Sequence, residues 1–264
     1  MPYRELAPGA TAAKLFEELV EGTRERIRDP QRDRNLVVRD TLTSIYLGAG
    51  ADFDERVSDP RLPPATRAAI ASFDPRNVSL EAEYYTDCDP QRYDRVKPLT
   101  WLWLQFDRSP LGLNCHVGFP FRRMLAENVF RHCGRNVKLF QNVEYTYGYN
   151  LTVEDDCTIH RHVFIDDRGE VVLRARTSVS DYANIYSHSH DVVDIGGVTL
   201  GRTEIGPHAR ITYHSTVLSG IKVGRDGMLG ATGLATRDVP DYTVSIGIPA
   251  KPVKKKDPCP ACRV

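Results

Sequence analysis

Two histidines one residue apart, His188 and His190, stand in the stretch DYANIYSHSHD at residues 181–191, and a second such pair stands at His160 and His162. Imidazole titrates at about pH 6.5 when unperturbed, so a placed histidine can take a proton from a nucleophile and return it to a leaving group. It is also a common metal ligand. Lys251, Lys254, Lys255 and Lys256 form a short basic run that could meet anionic phosphates as point charges. A lone CxxC at Cys259 and Cys262 is half of a structural zinc signature.

The bulk numbers narrow the classes. The chain has 264 residues, 41% of them apolar and 27% charged, which suits a soluble globular protein. The 35 basic residues balance the 35 acidic ones, so charge offers no case for nucleic acid or for an anionic membrane. No apolar run nears the ~18 residues of a membrane helix. Residues 1–5 lack a basic-then-apolar signal pattern. Six cysteines in so long a chain are too sparse for a disulfide framework, and reduced thiols in a cytoplasmic protein are expected.

Something must hold these side chains in place. The first ~130 residues read as helical, with apolar faces over 11–28 and 35–47, a short helix opened by Pro63-Pro64, and another over 121–133 closed by Gly134. Residues 74–110 show no clear period, although Trp101, Leu102, Trp103 and Leu104 demand burial.

After Gly134 the rhythm becomes six. Val153, Ile159 and Ile165 keep it, as do Leu173, Val179 and Ile185, and then Ile205, Ile211, Val217, Val223 and Leu229. Small residues often follow four positions later, as at Cys157, Thr177, Ala183, Ala209, Ser215 and Gly227. Six fits neither a helix nor a simple strand. It fits a short strand plus a corner, three of which close a triangular coil that stacks at about 4.8 Å per turn. Lost phase marks insertions, two residues near Arg168-Gly169 and fourteen after Ser187. Counting three turns sets Ile185 above Ile165 and Asp167 beneath Ser187, which gathers a carboxylate and the histidine pair near one corner.

These residues resemble the hexapeptide-repeat acyltransferases, and among them the maltose and galactoside O-acetyltransferase group. The segments that carry the resemblance are Tyr147-Gly148-Tyr149-Asn150-Leu151, Ile185-Tyr186-Ser187-His188-Ser189-His190-Asp191, Val239-Pro240-Asp241-Tyr242 and residues 247–254, within a match spanning about 134–256. The resemblance implies a left-handed coil, a homotrimer, and acyl-CoA bound between neighbouring coils. It implies His190 as general base, Asp167 at the acceptor site, Ala231 and Thr236 against the pantetheine arm, and Arg237, Lys251 and Lys254 against the CoA phosphates. The group's tryptophan is Arg210 here, and Tyr213 and His214 replace its small residues.

The expected architecture is mainly β: a left-handed parallel β-helix over 134–250 with an extruded loop at 188–204, an N-terminal helical domain over 1–133 and a basic tail over 251–264. The expected activity is acyl transfer, acetyl-CoA the co-substrate, to a hydroxyl of a sugar or other small molecule, with no metal. His190 is the expected base, and His188 and Asp167 are placed at the substrate. A zinc carbonic anhydrase on the same scaffold and a non-catalytic scaffold subunit are the alternatives.

Overall fold

A computed structural model describes residues 7–194 and 196–258; the CxxC cysteines lie outside them. The chain divides into two compact units, Met1–Asn128 and Val129–Val264.

The first unit is helical: α1 (Ala10–Arg28), α2 (Arg34–Leu47), α3 (Phe53–Ser58), α4 (Pro64–Ala71), α5 (Pro90–Arg108) and α6 (Cys115–Val129). Caps explain the starts. The Asp33 side chain accepts from the Asn35 N–H at the head of α2, and Asp89 accepts from the Arg92 N–H ahead of Pro90, a residue preorganised for a first turn. α1 begins at Ala10 behind Gly9, not behind a Thr11 cap. α5 fills the stretch without a legible period. Its buried residues run from Tyr93 and Val96 through Leu99, Leu102 and Trp103 to Phe106, with Thr100 and Asp107 beside them, a broad face rather than a narrow stripe. Trp101 donates to the Ser72 carbonyl at 2.8 Å. Arg122, from α6, is 1% exposed and donates to Asp107 at 2.7 Å and to the Gly112 carbonyl. Its guanidinium also lies over the Phe106 ring, and Phe106 stacks on Phe121.

The second unit is the coil. Its first turn holds β1 (His132–Cys133), β2 (Lys138–Leu139) and β3 (Glu144–Tyr145), so His132 and Cys133 begin a sheet instead of ending the expected helix. The second holds β4 (Leu151–Val153), β5 (Thr158–Ile159) and β6 (Phe164–Asp166). The third holds β7 (Glu170–Leu173), β8 (Ser178–Val179) and β9 (Asn184–Tyr186), then leaves the coil as the hairpin β10 (His188–His190) and β11 (Val198–Leu200). The fourth holds β12 (Arg202–Ile205), β13 (Arg210–Ile211) and β14 (Thr216–Val217). The fifth holds β15 (Lys222–Val223), β16 (Met228–Leu229) and β17 (Leu234–Ala235). β18 (Thr243–Ile246) continues a sixth turn, and β19 (Lys251–Lys255) folds back against it.

Three parallel sheets result, and their pairing is the six-residue register: Ile159 beside Val179 beside Ile211 beside Leu229, and Ile165 beside Ile185 beside Val217. Every one of these aliphatic side chains is fully buried. At about 1.5–3 kcal/mol for each such side chain, the stacked columns supply the coil's main stabilisation.

Three residues ahead of the inward positions sit left-handed corners at Asn136, Asn142, Asp156, His162, Arg176, Tyr182, His208, His214, Asp226, Thr232 and Tyr242, with φ from 53° to 62°. Non-glycine residues adopt this region at a cost, least for Asn, Asp and His. Contacts between coils offset it. The Asn136 amide donates to Asp156 at 2.7 Å, and the His162, Tyr182 and His214 rings stack in succession, each 4.8 Å from the next. The histidines at 162 and 214 are therefore rungs of an outer corner ladder.

Candidate active site

The corner after β9 positions the candidate chemistry. Ser187 leaves the coil there, and Gly201 returns to it, its N–H donating to the Ser187 carbonyl at 2.7 Å. Gly169 leaves room for this exit: a Cβ on it would lie 2.3 Å from the Gly201 oxygen and 2.7 Å from the Ser187 oxygen. The hairpin is closed by Asp191, whose carboxylate accepts the N–H groups of Val193 (2.7 Å) and Asp194 (2.8 Å). Those bonds hold the Asp191 carboxyl below its ordinary range and leave it a turn residue.

Alternation along β10 puts His188 and His190 on one face and Ser189 on the other. The two imidazoles meet edge to face, 5.0 Å apart and 88° between planes. His190 is exposed; His188 is mostly covered.

The carboxylate at this corner is not the one the register reading nominated. β6 and β9 pair as expected, Ile165 with Ile185 and Asp166 with Tyr186, which carries Asp167 to the level of Ser187. Yet Asp167 is fully buried, and its carboxylate turns to the coil below, accepting the Tyr147 N–H at 2.7 Å and the Asn150 N–H at 3.1 Å. It ties coil to coil and presents no face to a substrate. Asp166 is the carboxylate that meets a histidine, with Oδ2 2.5 Å from the His188 Nδ1. Successive residues at a corner face opposite ways, and register alone cannot say which faces the site.

Burial pushes the Asp167 carboxyl up to about 6, against the pull of the Tyr147, Gly148 and Asn150 N–H groups. A folded pKa above the unfolded value means that this group's contribution to stability is greatest below about pH 4 and lost as pH rises through about 6, to the extent of about 3 kcal/mol. Asp167→Asn should flatten that part of the pH–stability curve, read as urea midpoints between pH 4 and 7. A slope equal to that of the parent would sink the assignment.

The residues nominated for the cofactor cluster on the last turns. Ala231, Thr236 and Arg237 are exposed on either side of β17. The turn at 247–250 bonds to that strand from both sides: the Leu234 N–H donates to the Gly247 carbonyl (3.0 Å), and the Ala250 N–H donates to the Leu234 carbonyl (2.7 Å). This delivers Lys251 and Lys254, both exposed, alongside the same turn. The basic run is divided: Lys255 donates to the Thr243 hydroxyl, and Lys256 bonds the buried Asp226.

The other groups with possible chemistry have structural surroundings. His160 stacks on Phe140. Burial pushes the Cys157 thiol up to about 12, far from a reactive thiolate. Among the described residues, no group of three or more His, Cys, Asp or Glu is arranged to hold a metal, and no helix is long and apolar enough to cross a membrane.

No family model matches the chain. Its sequence is 26% identical over 164 residues to a dTDP-4-amino-4,6-dideoxy-D-glucose acyltransferase of Escherichia coli, covering 50% of this chain and 85% of that protein. It is 29% identical over 153 residues to a serine acetyltransferase of Staphylococcus epidermidis, covering 54% of this chain and 62% of that one. Among solved structures, it is similar to a maltose O-acetyltransferase from Clostridium difficile (TM-score 0.56, 21% identity, 64% of this chain and 88% of that chain). It is also similar to a galactoside acetyltransferase in complex with coenzyme A (TM-score 0.57, 20% identity, 64% and 82%). At these identities the structural likeness establishes the fold, a left-handed parallel β-helix. The relatives carry the class read from the sequence, the hexapeptide-repeat acyltransferases.

Proposed function

We propose that the protein transfers an acyl group, acetyl in the first instance, from CoA to a hydroxyl of a sugar or other small hydroxylated molecule. The observation that carries this reading is the hairpin root, where the chain leaves the coil and sets the exposed His190 imidazole beside a carboxylate-held His188. His190 accepts the proton of the acceptor hydroxyl as its oxygen attacks the thioester carbonyl. The C–S bond then breaks, and the imidazole returns the proton to the departing CoA thiolate. A thiolate leaves readily, since thiol pKa values are about 8.5, so one placed base suffices. Ala231 and Thr236 would line the pantetheine arm, with Arg237, Lys251 and Lys254 facing the phosphates. The resemblance extends the reading to a homotrimer with CoA between neighbouring coils, and the named sugar specificity of the Escherichia coli relative supports a sugar-like acceptor.

Acetyl-CoA should raise the melting temperature, because a ligand of the folded state alone stabilises it by about 2.7 kcal/mol at one hundred times its Kd. Transfer of labelled acetyl to a panel of sugars and their amino analogues then reports the acceptor. An unchanged melting temperature at saturating acetyl-CoA, with no product on any acceptor, would reject the reading. Transfer to amines only would keep the class and replace the hydroxyl.

A further inference from the structure

We infer that Asp166 and His188 are positioning residues for the His190 imidazole, a role that rests on the acyl-transfer reading for what His190 does. Asp166 is buried, and its carboxylate is surrounded by donors. Oδ1 accepts the Thr146 hydroxyl at 3.1 Å. Oδ2 accepts the backbone N–H groups of Ser187 (3.1 Å) and His188 (3.2 Å) and faces the His188 Nδ1 at 2.5 Å. Such a carboxylate only accepts, so Nδ1 is the nitrogen of His188 that bears the proton. The His188 side chain is 17% exposed, that of Asp166 1%.

His190, by contrast, is exposed on a two-stranded ribbon, and among the described residues no hydrogen bond holds its ring. Its fixed neighbour is the His188 ring, perpendicular at 5.0 Å. A locked ring on the same face of the strand narrows the rotamers open to the exposed one. Anchoring runs from Thr146 in one coil, through Asp166 in the next, to His188 on the hairpin and so to His190. General-base catalysis needs this, since misplacement by about 1 Å can cost about 100-fold in rate. The doubled histidine is thereby explained: the inner imidazole is a support and the outer one the proton acceptor.

The test uses the full chain with Asp166→Asn and His188→Ala. Each should lower kcat about 10- to 100-fold, leaving the KM for acetyl-CoA unchanged and the far-UV circular dichroism intact. NMR of ring-labelled histidine should show a His188 Nδ1 proton and a cross-peak between the two rings in the parent, with both weakened in Asp166→Asn. Should Asp166→Asn fail to fold, His188→Ala alone carries the kinetic arm. Parent-like kcat in the folded variants, or no cross-peak between the rings in the parent, would overturn the inference. If the parent transfers acyl groups to no acceptor, the reaction reading falls, and the cross-peak with its response to Asp166→Asn decides the positioning by itself.

Discussion

Replacing His190 by alanine is expected to lower acyl transfer by about 10²- to 10⁴-fold, the range over which a positioned acid–base group contributes. Acetyl-CoA binding should survive, because the residues proposed to hold it, Ala231, Thr236, Arg237, Lys251 and Lys254, lie on the last turns of the coil, away from the hairpin in sequence. Calorimetry on the variant measures binding, and single-turnover transfer measures chemistry. The hairpin itself should persist. It is held by the pairing of β10 with β11 and by the Asp191 turn, neither of which uses the imidazole of His190. If His190→Ala turns over normally while His188→Ala is dead, the proton acceptor is His188, and the outer ring has another use.

The second large effect concerns the helical unit. Arg122→Met should destabilise it by about 3–5 kcal/mol, the usual loss when one partner of a buried ion pair is removed. Asp107 would keep its charge in a place where its side chain is 4% exposed, after losing a donor at 2.7 Å. The Gly112 carbonyl would lose one as well. Close packing adds to the effect. A Cβ on Gly118 would lie 2.6 Å from a guanidinium nitrogen of Arg122, so the neighbouring turn is shaped around this side chain. Urea unfolding followed by far-UV circular dichroism measures the loss. The double variant Arg122→Met with Asp107→Leu should recover most of it, because two apolar groups leave no stranded charge. A single variant as stable as the parent would mean that the pair contributes nothing.

The coil was legible because its signal is periodic. Inward aliphatic residues recur at six, and the pairing of Ile159 with Val179 or Ile165 with Ile185 is what that count requires. The hairpin was legible for the opposite reason, as the place where the count fails after Ser187. Direction at a corner was not legible. Asp166 and Asp167 share one register position to within a residue, and only their local backbone sends one to His188 and the other to Tyr147 and Asn150. The outer ladder was also hidden, since the stacking of His162, Tyr182 and His214 follows from a positive φ at each, which no hydrophobic period reports. In the helical unit, α1 shows an apolar face. α5 was harder to read, because polar Thr100 and Asp107 share its buried face and Pro98 stands within it. The double Asp at 166–167 was the available clue: two adjacent carboxylates at a corner cannot both face the same way.

β19 bears on a different property, the tendency of repeats to associate. A parallel coil ends in unpaired strand edges, each a template for another chain. Here β19 runs antiparallel along β18, placing lysines and Pro252 on the rim of that sheet, with Lys255 and Lys256 fastened to Thr243 and Asp226. Charge and proline make a poor template. The same short strand that brings basic residues beside the last turn thus also gives that sheet of the stack a stop, which keeps one molecule's ladder from becoming the first rung of the next.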